Sequence, residues 1–171
     1  MSQENPAPGR EGGPLGANMD GILDQWRRVR PDIDPTPMAV CGDVWRAAEV
    51  LRQGVLANIS DHGLDFPAFD VLMTLRRQGR GAALSPTALA REMMLSTSAM
   101  TNRLDRLERR GLIRRLSDPE DRRGLKVELT EGGFALIDGL VASHVATEDR
   151  LLAALSPDER ATLRALLSRI T

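Results

Sequence analysis

Disulfide chemistry is absent from this chain: of 171 residues only Cys41 is a cysteine, so no bridge can close within it. Tyrosine is missing and aromatics make up 3% of the chain. That is too few for the stacking platforms that hold single-stranded nucleic acid. Lys126 is the sole lysine, so the positive charge is almost all arginine, the side chain whose planar fork suits carboxylates and phosphates. The two histidines, His62 and His144, lie far apart and with one cysteine make no metal-ligand set, so neither a metal nor a cofactor is expected. No apolar run is long enough to span a bilayer, and the N-terminus lacks a signal-peptide pattern. A cytoplasmic protein without a membrane partner is therefore expected. No glycine-rich phosphate loop, nucleophile elbow or metal-hydrolase motif is present, so an enzyme is not expected either.

What is present is an apolar fraction of 42%, enough for a core, and one organising stretch at residues 96–130. Ser96 is placed to cap a helix. Met100, Leu104 and Leu107 follow at helical spacing, and Gly111 stands where a helix-ending glycine belongs. Residues 112–116 and 125–129 alternate apolar with polar, the strand period, around a turn punctuated by Pro119 and Gly124. Upstream, Ser85 and Pro86 open another short helix. Helix, turn, helix and hairpin make a winged helix-turn-helix.

The charge of that stretch points to DNA. Residues 103–126 hold nine basic and five acidic side chains, in a chain whose formal net charge is −1. Phosphate binding needs such local concentration and not a basic whole. With the leucines turned inward, Ser96, Thr97, Ser98, Thr101, Asn102 and Arg106 are the candidates for reading base edges in a major groove. Arg122 and Arg123, on the wing, are candidates for phosphates or an adjacent minor groove.

The chain divides as follows. Residues 1–18 are polar, glycine- and proline-rich and expected to be disordered. Residues 19–37 form an extra amphipathic helix (19–29) and a proline-rich extended connector (30–37). Residues 38–64 carry a helix with an apolar stripe of Cys41, Val44, Ala48, Leu51, Val55 and Ile59, with Trp45 on its edge. The winged helix-turn-helix occupies 65–130, with a first helix capped by Asp65 and ended by Gly79 and Gly81. Residues 131–171 carry a long helix of about 25 residues capped by Thr130, with an apolar face of Phe134, Ile137, Val141, Val145, Leu152 and Leu155. A last helix follows, opened by a capping box at Ser156 and Glu159. The fold class is mainly α with a small β-wing. The outer helices, at both ends, need somewhere to bury their stripes. A two-fold homodimer on a pseudo-palindromic double-stranded operator supplies it, since a lone reading head touches too few bases.

Residues 84–133, with the wing motif DPEDRRG followed by KVELTEGG, resemble the DNA-binding core of the MarR transcriptional regulators, and the helix order from residue 38 onward agrees. The preceding ILDQWRRVRPDIDPTPMAV is similar to the extra helix of that family's urate-responsive branch. The resemblance implies a dimeric repressor released from DNA by a small aromatic or anionic effector: urate, xanthine or a related purine, or an aromatic acid. It also implies an effector site of Trp26, Asp70, Arg103 and Arg115, each of which matches the branch in type. Arg103 borders the inward helix face by spacing, so a structural ion pair with Asp70 is the competing reading for those two. A packing anchor is the competing reading for Trp26. Two other functions stay open. One is a redox sensor acting through Cys41, although the family's peroxide-sensing branch tunes its cysteine with tyrosines absent here, and core packing is the simpler reading of Cys41. The other is a winged-helix module for protein contacts. His62 is expected in an exposed turn, and His144 at the dimer interface or in water.

Overall fold

The computed structural model describes residues 18–93, 100–118 and 124–170. The chain divides into two compact units, Met1–Arg52 and Gln53–Thr171. In the first, helix α1 (Met19–Val29) starts where Asn18 accepts the Asp20 N–H at 3.2 Å. Leu23 is its buried residue. The Met19 side chain packs against Gly42, its flexible methyl end 2.4 Å from where an added Cβ would lie. Helix α2 (Thr36–Ile59) begins two residues earlier than the stripe suggests. The Asp34 carboxylate accepts both the N–H and the hydroxyl of Thr36, and Pro37 is tolerated because first-turn N–H groups have no helical partner. Cys41 is exposed, not packed in a core, because the side of α2 bearing it stays uncovered in the single chain. Trp45, at 73% exposure, and Val40 are likewise uncovered.

The second unit holds a continuous apolar core from Val55 and Ile59 through Phe69, Leu72, Leu75, Leu89, Leu104, Leu107, Ile113, Val127 and Ile137. A 3-10 turn, Ser60–His62, ends at Gly63 with φ of 64°, the left-handed conformation that glycine takes most readily. His62 is exposed, as the sequence suggests. Helix α3 (Phe66–Arg77) is capped by Asp65 onto the Ala68 N–H, and α4 (Pro86–Glu92) by Ser85 onto the Ala88 N–H. Helix α5 (Met100–Arg109) follows. Its expected cap, Ser96, lies outside the described residues. Strands β2 (Ile113–Ser117) and β3 (Leu125–Leu129) pair antiparallel, Arg115 opposite Val127. The sheet also has a strand that the sequence pattern does not announce: β1 (Ala83–Leu84) pairs with β3, giving the order β1-β3-β2. Two residues are too short to show a period.

Helix α6 (Glu131–Leu151) is shorter than its apolar run and covers only part of the expected face, Ile137 fully and Phe134 and Val141 partly. Gly133, Ile137, Leu140 and Thr147 are covered, while Val145 is 56% exposed. Packing on α3 selects that face. It also takes His144 inward, edge-on to Phe69 with ring centroids 4.8 Å apart, so this histidine does not face open water. Helix α7 (Pro157–Leu167) opens with the expected capping box and has no buried residue. No described helix is long and apolar enough to cross a membrane.

Candidate nucleic-acid interface

Helix α5 is two-sided. Leu104 and Leu107 are buried at 2% and 1% exposure, and the helix ends in a left-handed glycine motif. There the Gly111 N–H (φ 69°) reaches the Glu108 carbonyl at 2.8 Å, and the Leu112 N–H reaches that of Leu107 at 3.0 Å. This reversal feeds Leu112 directly into β2. On the opposite side, Thr101, Asn102 and Arg109 are exposed, and the Arg106 side chain is 59% exposed, its nearest carboxylate Asp65 at 3.6 Å. The helix thus presents short polar groups and two guanidinium groups outward from a face fixed by the leucines. Of the other proposed DNA contacts, Ser96, Thr97, Ser98, Arg122 and Arg123 lie outside the described residues. The strands that lead into the wing loop are described. Asp118 N–H donates to the Gly124 carbonyl at 3.0 Å, and Lys126 pairs with Asp118 at 3.1 Å.

The four proposed effector contacts fall in different places. Trp26 lies on α1 in the first unit, 38% exposed, beside an open cleft of about 490 Å³ with Gln25, Arg28 and Val29. In the second unit, Asp70 on α3 and Arg103 on α5 are both buried, at 5% and 7% exposure. Their helices pack against each other. Burying a charge requires a counter-charge or hydrogen-bond partners. Arg103, Arg106 and Arg110 line a small cleft of about 150 Å³ together with Gly63, Asp65 and Leu107.

Arg115 is already engaged. Its two terminal nitrogens hold Glu108 Oε2 at 2.5 Å and Asp105 Oδ1 at 2.6 Å, and its backbone N–H donates to Glu108 Oε1 at 3.1 Å. Burial works against its charge, but Asp105 and Glu108 outweigh that and hold its pKa above the ordinary arginine value. Sequence reasoning did not find this arrangement. Its trace was the spacing of Asp105 and Glu108, three apart and so on one helix side. Three further arginines also serve the protein. Arg110 donates to the carbonyls of Gly63 (2.5 Å) and His62 (2.9 Å), Arg114 pairs with the buried carboxylate of Glu128, and Arg77 donates to the Glu92 carbonyl at the end of α4. No local pattern could reveal those long-range partners.

Among the described residues no group of histidine, cysteine and carboxylate side chains could hold a metal ion. The comparisons with known proteins agree with one another. Residues 62–124 match the sequence profile of the MarR family. The HTH-type transcriptional regulator PecS of Dickeya dadantii (strain 3937) is 41% identical over 149 residues, spanning 87% of this chain and 90% of that protein. Among solved structures, BpsR of Bordetella bronchiseptica, described with regulation of its DNA binding by 6-hydroxynicotinic acid, has a TM-score of 0.69 at 28% identity. That match covers 77% of this chain and 91% of the other. A cysteine-to-serine variant of Escherichia coli MarR complexed with operator DNA has a TM-score of 0.67 at 26% identity, covering 85% and 96%.

Proposed function

The chain belongs to the MarR family of transcriptional regulators, and from that premise we propose that it is a dimeric repressor of double-stranded DNA released by a small aromatic anion. The observation that carries the reading is the two-sidedness of α5: leucines seated in the core, Thr101, Asn102, Arg106 and Arg109 turned out. A helix so held can enter a major groove with its polar side on base edges, flanked by a wing on the backbone. Ser96, Thr97 and Ser98, which precede α5 in the sequence, would add base contacts, and Arg122 and Arg123 would hold phosphates. The solved MarR–operator complex supports DNA binding by a chain of similar fold. A redox switch through Cys41 has weaker support: the thiol is exposed, but exposure alone does not make a cysteine a sensor.

For the effector, the proposal keeps Trp26, Asp70, Arg103 and Arg115. Trp26 offers a flat anion such as urate a stacking face, Arg103 and Arg115 are guanidinium candidates for its charge, and BpsR supports a planar acid as the ligand class. Asp70 and Arg103, both buried on packed helices, are proposed to balance each other. An anion competing for Arg103 would then disturb the reading helix itself.

The test is fluorescence anisotropy of labelled duplex with the wild-type protein, titrated with salt and with urate, xanthine, 6-hydroxynicotinic acid and salicylate. Salt-dependent duplex binding, lost with at least one of these ligands and still lost in Cys41→Ser, is the expected result. Trp26→Ala should keep DNA affinity and lose the ligand response. Indifference of the wild type to all four ligands would remove the effector reading. Salt-independent or absent duplex binding would remove the DNA reading and favour a protein-contact module.

A further inference from the structure

Strand β2 is an edge of the three-stranded sheet, since the order is β1-β3-β2. Edge strands carry N–H groups with no strand partner. Here the Arg115 N–H, beyond the reach of β3, is taken by the Glu108 carboxylate of the reading helix. The same residue's side chain closes the contact from the other direction, gripping Glu108 and Asp105 with separate nitrogens. One residue of the wing thus holds three bonds to two carboxylates of α5. The guanidinium is 23% exposed and the carboxylates 45% and 37%. The grip is therefore partly shielded from water yet open enough to be exchanged.

Resting on the DNA reading above, we propose that Arg115 is a positioning residue: it fixes the wing strand against the recognition helix so that both meet DNA in one register. The charge of Arg115 is spent inside the protein. Arg106 and Arg109 remain outward to face the backbone of DNA, whereas Arg114, though largely exposed, already holds the Glu128 carboxylate.

The decisive variant is Asp105→Ala/Glu108→Ala. It removes two negative charges beside the DNA-binding face and inserts the best helix former at two partly exposed helix positions. Simple electrostatics then predicts tighter DNA binding, whereas loss of the grip predicts weaker binding. The probe is the duplex that the wild type enriches from a random pool. We expect this variant and Arg115→Ala each to bind it at least about five-fold more weakly, with the slope of affinity against salt unchanged. Arg115→Lys, which keeps the charge and loses the fork, should not restore binding. In the absence of DNA, hydrogen exchange of the Arg115 amide should quicken by about ten-fold or more in the double variant. Unchanged exchange, tighter binding by the double variant, or a salt slope reduced by about one unit in Arg115→Ala, the mark of a lost phosphate contact, would each overturn the proposal. If the wild type enriches no duplex, the DNA reading falls by itself, and the exchange measurement still decides whether the grip exists.

Discussion

Gly133 sits where α6 begins, against the corner that ends α5. A Cβ placed there would lie 1.8 Å from the Leu112 carbonyl oxygen, a backbone atom that cannot swing aside. The corner is tied further by Thr130, whose hydroxyl donates to the Gly111 carbonyl at 2.6 Å and accepts the Gly133 N–H at 3.0 Å. Gly133→Ala should therefore cost about 1–3 kcal/mol, read as a lower urea midpoint at unchanged slope; an unchanged midpoint would show that the corner yields. Residues of this kind were only partly legible in the sequence. Helix spacing put Arg103 beside the inward face, and it is buried. The glycine of KVELTEGG was visible as a motif but not as a steric requirement, because the atom that demands it belongs to a residue 21 positions away. Arg110 and Arg115 read in sequence as available positive charge, whereas their partners are carbonyls and carboxylates brought together by folding.

Helix starts were the most legible elements, because their determinants are local. Asp65, Ser85, Thr130 and Ser156 each cap the helix they announce, accepting an N–H of its first turn. Faces were less legible, since an apolar run fixes a helix but not which side its neighbour takes. On α6 the packing on α3 covers Ile137, Leu140 and Thr147 and leaves Val145 out. Helix α7 buries nothing, with Leu163 and Leu166 at 40% and 53% exposure, and Ile170 just after it is 71% exposed. On α2, Val40 and Trp45 are similarly uncovered. Exposed apolar faces on several helices are costly at about 25 cal/mol per Å² and are the usual mark of an association surface. Leu166→Glu/Ile170→Glu should shift sedimentation toward monomer at micromolar concentration while helix content by circular dichroism stays the same. A dimer as tight as wild type would mean that α7 covers some other surface.

Over the whole molecule, the balance of charge distinguishes the reading head from the rest. The chain is near neutral, yet residues 103–126 carry a local positive excess, and folding spends part of it on internal grips, Arg114 on Glu128 and Arg115 on Asp105 and Glu108 among them, while leaving Arg106 and Arg109 outward. Fewer phosphate contacts than the count of arginines should follow. Specificity must then come from a small set of base contacts doubled by two-fold symmetry. The most direct measurement of that claim is sequencing of the duplexes that the protein enriches from a random pool, with the mass of the resulting complex determined by sedimentation. The account predicts an inverted repeat with half-sites roughly 10 bp apart centre to centre, two chains on each duplex, and one relaxed position per half-site when Arg106→Ala replaces the wild type. A pool left unenriched, or a single asymmetric site held by one chain, would contradict it.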